Sequence, residues 1–253
     1  MSVVSWGLDL VFPTSIYCIS CGNLIDDNCE YILCDSCREE LPRVVGRTCG
    51  KCGKELSAQN EGEFCSDCLG AKHVFRKGFS CVNFSGIAKN IVRDMKYRSC
   101  AHNADAVADL MTARFSEMAD RETGELPEYD LLVFAPMHEA KKEKRGYDQA
   151  ELVATKFGRL IGVEVPKGVL IRTKETAVMS SLSAEERRQN LEGAFVVPEE
   201  KMEKVAGKTI LLIDDVFTTG STADACAKAL KNAGAADIDI FTFAAGADYE
   251  EII

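Results

Sequence analysis

Beyond about residue 78 the chain alternates two hydrophobic rhythms. Short apolar runs of strand character occur at Phe79 to Phe84, Leu131 to Ala135, Thr209 to Ile213 and Ile238 to Ala244, the second of them stopped by Pro136. Between them lie segments whose apolar residues recur at helical spacing. Ile87, Ile91, Val92 and Met95 share one face behind Ser85, which predicts a capped helix. Comparable stretches cover Asn103 to Met118, Glu151 to Leu160 ended by Gly162, and Ser221 to Asn232. Ser183-Ala184-Glu185-Glu186 has the form of a capping box and predicts a further short helix. Arg121 to Glu128, with Gly124 and Pro127, and the polar stretch Met137 to Asp148 predict loops. Apolar strands alternating with helices imply an α/β fold with a mainly parallel sheet.

The first 75 residues have another texture. Nine of the twelve cysteines fall between Cys18 and Cys68, and eight of them form the pairs Cys18/Cys21, Cys34/Cys37, Cys49/Cys52 and Cys65/Cys68. Taken as two sets, each is C-x2-C-x12-C-x2-C, and the second repeats the first 31 positions on, with Gly22 and Gly53 in equivalent places. Two knuckles of two thiolates each suit tetrahedral zinc with every position filled by protein, so the sites read as structural. Each half closing on its own ion and an interleaved, cross-braced pairing both satisfy this spacing. A redox C-x-x-C or an iron–sulfur cluster fits less well, because a redox motif occurs once and not fourfold in tandem. Lobes this small bury too little apolar surface to fold alone, so the metal supplies folding free energy. Cys29, Cys81, Cys100 and Cys226 read as packing residues. The change of texture places a boundary near residues 69 to 78, giving a zinc module over 1–75 and an α/β domain over 76–253.

Charge narrows the functional classes. The 253 residues carry 30 Lys plus Arg against 40 Asp plus Glu, a formal charge of −10, so a polybasic nucleic-acid mechanism is excluded and any such binding needs a local patch. No apolar run approaches the roughly 20 residues of a membrane helix. Met1 to Phe12 is apolar but contains Asp9 and lacks a basic leader. The expected location is the cytoplasm, without membrane insertion, where thiols stay free for metal.

The most informative segment runs from Ile210 to Thr222: a strand, the pair Asp214-Asp215, then Thr218-Thr219-Gly220-Ser221-Thr222 opening a helix. Backbone N–H groups at such a turn and the hydroxyls around it form a cradle for a phosphate. Two carboxylates just upstream would repel that phosphate, so they meet hydroxyls or a hard cation on the same ligand. The implied ligand carries a phosphate, a diol and Mg2+.

This segment resembles the motif by which type I phosphoribosyltransferases bind 5-phosphoribosyl 1-diphosphate (PRPP). Over nearly the whole chain the sequence resembles the ComF family of competence-associated proteins. The residues that carry this are the cysteine repeat, Met95-Lys96-Tyr97, Ala135-Pro136, Arg145-Gly146-Tyr147-Asp148-Gln149-Ala150, Arg172, Arg187 to Asn190, Gly193-Ala194-Phe195 and the phosphate loop. The resemblance implies a double zinc ribbon with two Zn2+ joined to a Rossmann-like phosphoribosyltransferase domain. It implies Asp214 and Asp215 at the ribose hydroxyls as catalytic residues. It also implies Thr218, Thr219, Gly220, Ser221, Thr222, Arg145 and Lys96 around PRPP and its Mg2+. Lys141, Lys142, Lys144 and Arg145 fall in the segment that corresponds to the mobile flap. Asp148 and Met179 stand where the family usually has Asn and Gln, which removes two amides from the ligand side.

Two functions follow. One is a phosphoribosyltransferase whose catalysis is positioning and electrostatics, since no nucleophilic triad is evident and no acceptor is legible. The other is a module for DNA uptake that binds a nucleotide or single-stranded DNA in the same cleft without turnover, with a DNA-uptake helicase as partner. Arg172, Arg187 and Arg188 are candidate phosphate contacts in the second reading, although local ion pairing on a short helix explains the pair 187/188 equally well. His73, His102 and His138 show no ligand spacing.

Overall fold

The computed structural model describes residues 16–26, 29–98, 100–119, 123–175 and 184–248. Strands β1 (Lys77–Asn83) and β2 (Leu131–Phe134) belong to the main sheet, and β3 (Ile171–Arg172) and β4 (Phe195–Val196) form a separate antiparallel ribbon. The main sheet is completed by β5 (Thr209–Phe217) and β6 (Asp237–Ala245). Its order is β1-β6-β5-β2 and every pairing is parallel, as the alternation of strands and helices predicts. Alternation along each strand builds two cores. Leu211, Ile213, Phe241 and Phe243 face one layer, while Ile210, Leu212, Ile238 and Ile240 face the other.

The first layer is closed by α3 (Gly86–Tyr97), α4 (Asn103–Ser116) and α6 (Gln149–Ile161), each preceded in the chain by α1 (Asp35–Glu39) and α2 (Ser66–Gly70) of the ribbons. Between α4 and α6 the chain forms α5 (Glu139–Arg145), where the sequence reading placed a loop. None of its residues is buried, so it shows no apolar periodicity. Its helical state comes from propensity, an N-cap at His138, Glu139 in the first turn, Lys142, Lys144 and Arg145 in the last, and Gly146 in the left-handed region. Helix α6 starts two residues earlier than expected because Asp148 caps it, and α4 ends two residues earlier. Ser85 is the N-cap residue of α3, but its side chain makes no capping hydrogen bond. The second layer holds α7 (Ala184–Leu191), α8 (Met202–Val205) and α9 (Ser221–Asn232). Ser183 and Met179 lie outside the described residues.

The zinc ribbons are built into these cores. Cys18, Ile19, Leu33 and Cys37 of the first ribbon join the α3/α4/α6 layer, whereas Cys49, Cys52, Leu56 and Cys65 of the second join the α9 layer. The two copies of the repeat therefore meet opposite faces of one sheet. Between them, Pro42 to Val44 runs antiparallel to β1, with Asn83 N–H donating to Pro42 O at 2.7 Å and Val44 N–H to Cys81 O at 3.2 Å, which covers an otherwise open edge. Among the described residues no helix is long and apolar enough to cross a membrane.

The repeat-related glycines have diverged in consequence. Gly22 (φ 75°) and Gly53 (φ 74°) share a left-handed turn, but a Cβ on Gly22 meets nothing within 4 Å, while one on Gly53 would sit 2.7 Å from Phe79 Cα and press on the Gly78 carbonyl. We expect Gly22→Ala to cost about 1 kcal/mol, from backbone strain alone, and Gly53→Ala about 3 kcal/mol or more. Thermal melts of the two variants check this; equal losses would contradict the docking of the second knuckle on β1.

Candidate functional site

Two metal centres are defined by sulfur geometry. The Sγ atoms of Cys18, Cys21, Cys34 and Cys37 lie within 4.8 Å of one another, and so do those of Cys49, Cys52, Cys65 and Cys68. A tetrahedral ion with 2.3 Å bonds separates its sulfurs by about 3.8 Å. The Cys21–Cys34 and Cys52–Cys65 separations are 3.7 and 3.6 Å. Each set consists of the two neighbouring C-x-x-C pairs of one copy of the repeat, so the cross-braced alternative does not occur. The mutual proximity of four sulfurs in each set suits a structural zinc. Cys226 and Cys81 are buried core residues away from both centres.

The second site lies at the carboxyl end of the sheet, where open α/β folds bind ligands. Strand β5 runs four residues further than the sequence reading, so Asp214 and Asp215 stand on the strand and not in a loop. Gly220 (φ 80°) then turns the chain into α9, whose amino end has no side-chain cap. Its first amides have no acceptor within the helix, and Thr219 Oγ1 lies 3.0 Å from Ser221 Oγ beside them. Asp214 and residues 216–223 line one hollow. Behind the acidic pair the floor is apolar, formed by Val92, Met95, Val107, Ala150, Val153 and Phe243.

Lys96, in the last turn of α3, reaches across to Asp215, with Nζ 2.7 Å from Oδ2. Burial pulls the Lys96 ammonium down, but Asp215 and Asp214 outweigh it and hold the group above its ordinary value. Burial, reinforced by the neighbouring Asp215 charge, pushes the Asp214 carboxyl up to about 8. The folded state thus keeps this proton to higher pH than an unfolded aspartate, whose pKa is about 3.9. Its contribution to stability is full in acid and is lost as pH rises from about 4 through about 8. Asp214→Asn should therefore gain on the native chain by about 3 °C or more in Tm between pH 5.5 and pH 9, measured by parallel melts. A pH-independent difference would show that Asp214 is ionised throughout.

The structure brings Lys96 to Asp215 beside Asp214, but neither Lys96 nor Arg145 is among the residues lining the hollow at the 216–223 turn. Arg145 ends α5, and two residues on Tyr147 Oη donates to Met95 O at 2.6 Å, tying this segment to the base of Lys96. Lys142 is paired with Glu151 at 2.8 Å, which favours a structural role for it. His138 Nδ1 accepts from Ala140 N–H at 3.3 Å as a cap. The Arg172 guanidinium packs over the Phe195 ring, 5.3 Å from its centroid. Asp148 spends both oxygens on backbone: Oδ2 accepts from Met137 N–H at 2.8 Å and Oδ1 from Ala150 and Glu151 N–H at 3.0 and 3.4 Å. Burial raises its pKa against these three donors. The carboxylate fixes the turn after β2 to the start of α6, so the expected loss of a ligand-facing amide at this position does not arise.

The comparisons with known proteins agree with the zinc ribbons and with the fold of the α/β domain. The double zinc ribbon domain family matches residues 7–69, and the phosphoribosyl transferase domain family matches residues 143–252. Competence protein F of Haemophilus influenzae is 28% identical over 228 residues, spanning 90% of this chain and 96% of that protein. Competence protein ComFC of Bacillus subtilis is 26% identical, covering 83% of this chain and 82% of its own length. The DNA utilization protein YhgH of Escherichia coli K12 is 27% identical, at 83% and 88%. The chain is similar to these competence and DNA utilization proteins over most of its length. Residues that sequence patterns missed lie beside the turn into α9. His73 and Lys54 come from the second ribbon and Asp224 from α9, at sequence separations of about 150 residues or more that carry no local signal.

Proposed function

We propose that this chain binds PRPP with Mg2+ at the carboxyl end of β5 and serves DNA uptake in the cytoplasm during competence, with a DNA-uptake helicase as its protein partner. The observation that carries the ligand is the juxtaposition of a lysine-paired carboxylate couple with an uncapped, hydroxyl-lined helix start. In this reading residues 1–75 supply the ribbons and 76–253 the ligand-binding body. Asp214 and Asp215 accept hydrogen bonds from the ribose hydroxyls, and Thr218, Thr219, Gly220, Ser221 and Thr222 hold the 5′-phosphate. Lys96 holds Asp215 in an ion pair, and Arg145 approaches the diphosphate from α5. With Asp215 already bonded to Lys96, the pair suits hydroxyls better than direct contact with a second cation, so Mg2+ would travel on the diphosphate. The names of the competence and DNA utilization relatives support the cellular role.

A second reading, nucleotide or single-stranded DNA binding without turnover, is favoured by Tyr97, which is 77% exposed between Arg93 and Arg98 as a stacking surface among cations. Competition separates the two. The proposal predicts that PRPP binds in the presence of an oligothymidylate and releases pyrophosphate with an acceptor. Loss of PRPP binding on adding the oligonucleotide, with no pyrophosphate under any acceptor, would favour the second reading.

A further inference from the structure

We infer that the second zinc ribbon shapes the phosphate turn, with His73 and Lys54 as the positioning residues. The inference rests on the proposed site only for its functional consequence, because the contacts themselves join ribbon and turn. From the carboxyl side of the ribbon, five residues after Cys68, His73 is inserted against α9 with its side chain 1% exposed. The Asp224 carboxylate lies in the first turn of α9. Its Oδ2 is 2.7 Å from His73 Nδ1, and its Oδ1 accepts from Val74 N–H at 2.8 Å. The His73 ring stacks on Phe75 at 4.8 Å and meets Phe217 edge-on at 6.3 Å. A Cβ on Gly220 would lie 2.8 Å from His73 Cε1 and 2.8 Å from Phe217 Cζ, so the left-handed glycine at the start of α9 is moulded on this imidazole.

From the other side of the ribbon comes Lys54, whose side chain is 3% exposed. Its carbonyl accepts from Cys49 N–H at 2.7 Å, which ties it to the zinc knuckle. Its ammonium pairs with Asp67 at 2.5 Å, between Cys65 and Cys68, and lies 5.8 Å from the centroid of the Phe217 ring. Phe217, the last residue of β5, is thus held between a histidine and a lysine, each within a few residues of a zinc ligand. Asp248 closes the joint behind β6, accepting from Ser66 N–H at 3.0 Å and Asn60 Nδ2 at 2.8 Å. Among the described residues, those of the first ribbon pack on the opposite face of the sheet, outside this cluster.

Burying an imidazole and an ammonium behind a loop costs free energy unless their bonds are made. The arrangement therefore favours one turn geometry as long as the second ribbon is folded on its metal. The test is hydrogen exchange on the full zinc-loaded chain without ligand, beside PRPP titration. In His73→Ala the amides of 218–224 should exchange about tenfold faster or more, with β6 and α4 unchanged and two zinc ions retained. PRPP affinity should fall about tenfold, and His73→Asn, whose amide N–H can take the place of Nδ1–H, should restore both. Lys54→Met should act in the same direction, and Asp224→Asn carries the test if His73→Ala does not fold. Unchanged exchange at 218–224 in these variants would overturn the inference. A native chain that failed to bind PRPP would instead overturn the proposed ligand, since the exchange result is obtained without it.

Discussion

Stripping zinc from the second ribbon should unfold the sheet, whereas stripping it from the first should leave most of the sheet intact. Cys49, Cys52 and Cys65 are 1%, 1% and 0% exposed and lie inside the core shared with Ile210, Leu212 and α9. In the first ribbon Cys21 is exposed and Cys34 is half-buried, so a chelator reaches that ion sooner. A structural zinc contributes on the order of 10 kcal/mol or more at neutral pH, comparable with the whole stability of a domain, about 5–15 kcal/mol. Chelation followed by metal release and circular dichroism should show two steps, the first with little change in signal and the second coincident with cooperative unfolding. Cys65→Ser should fail to give folded protein, and Cys21→Ser should fold with about one zinc. Loss of both ions without a fall in Tm would contradict the integration of the second ribbon in the core.

Asp215→Asn is the most damaging conservative change expected at the ligand site. It removes the Lys96 partner at 2.7 Å while leaving Lys96 half-buried beside Asp214. A hydrogen bond to a charged group is worth about 1.5–3 kcal/mol, so losing the charged acceptor for a ribose hydroxyl should weaken PRPP about 10- to 100-fold. The remaining Lys96–Asp214 attraction should also lower the Asp214 pKa from about 8, because the competing carboxylate charge is gone. The pH dependence of Tm in Asp215→Asn should therefore be flatter than in the native chain. Unchanged affinity would remove Asp215 from the ribose contacts.

What was legible in the sequence follows from how tightly chemistry restricts residue choice. Four thiolates per ion leave no alternative residue, so a 31-residue repeat of cysteines announces both centres. A left-handed start to α9 needs a glycine, and Gly220 marks it. Strand positions followed from apolar runs because a parallel sheet is buried on both faces. Helix α5 was missed because it buries nothing and so has no period to detect. The carboxyl end of β5 was missed because Asp214 and Asp215 interrupt its apolar run, although Thr242 and Ala244 continue the pairing beside them. That the ribbons sit on opposite faces of the sheet, and that His73 reaches Gly220, depends on tertiary packing between segments about 150 residues apart. Even the departure at Asp148 became interpretable only when its oxygens were found on the amides of 137, 150 and 151.

The central claim is that the β5 carboxylates and the α9 start form one PRPP site, and calorimetric titration of the zinc-loaded chain with PRPP and Mg2+ tests it most directly. The account predicts saturable binding of one PRPP per chain that weakens in Asp215→Asn. An absence of binding heat from folded protein carrying two zinc ions, with PRPP in millimolar excess and at more than one temperature, would contradict it.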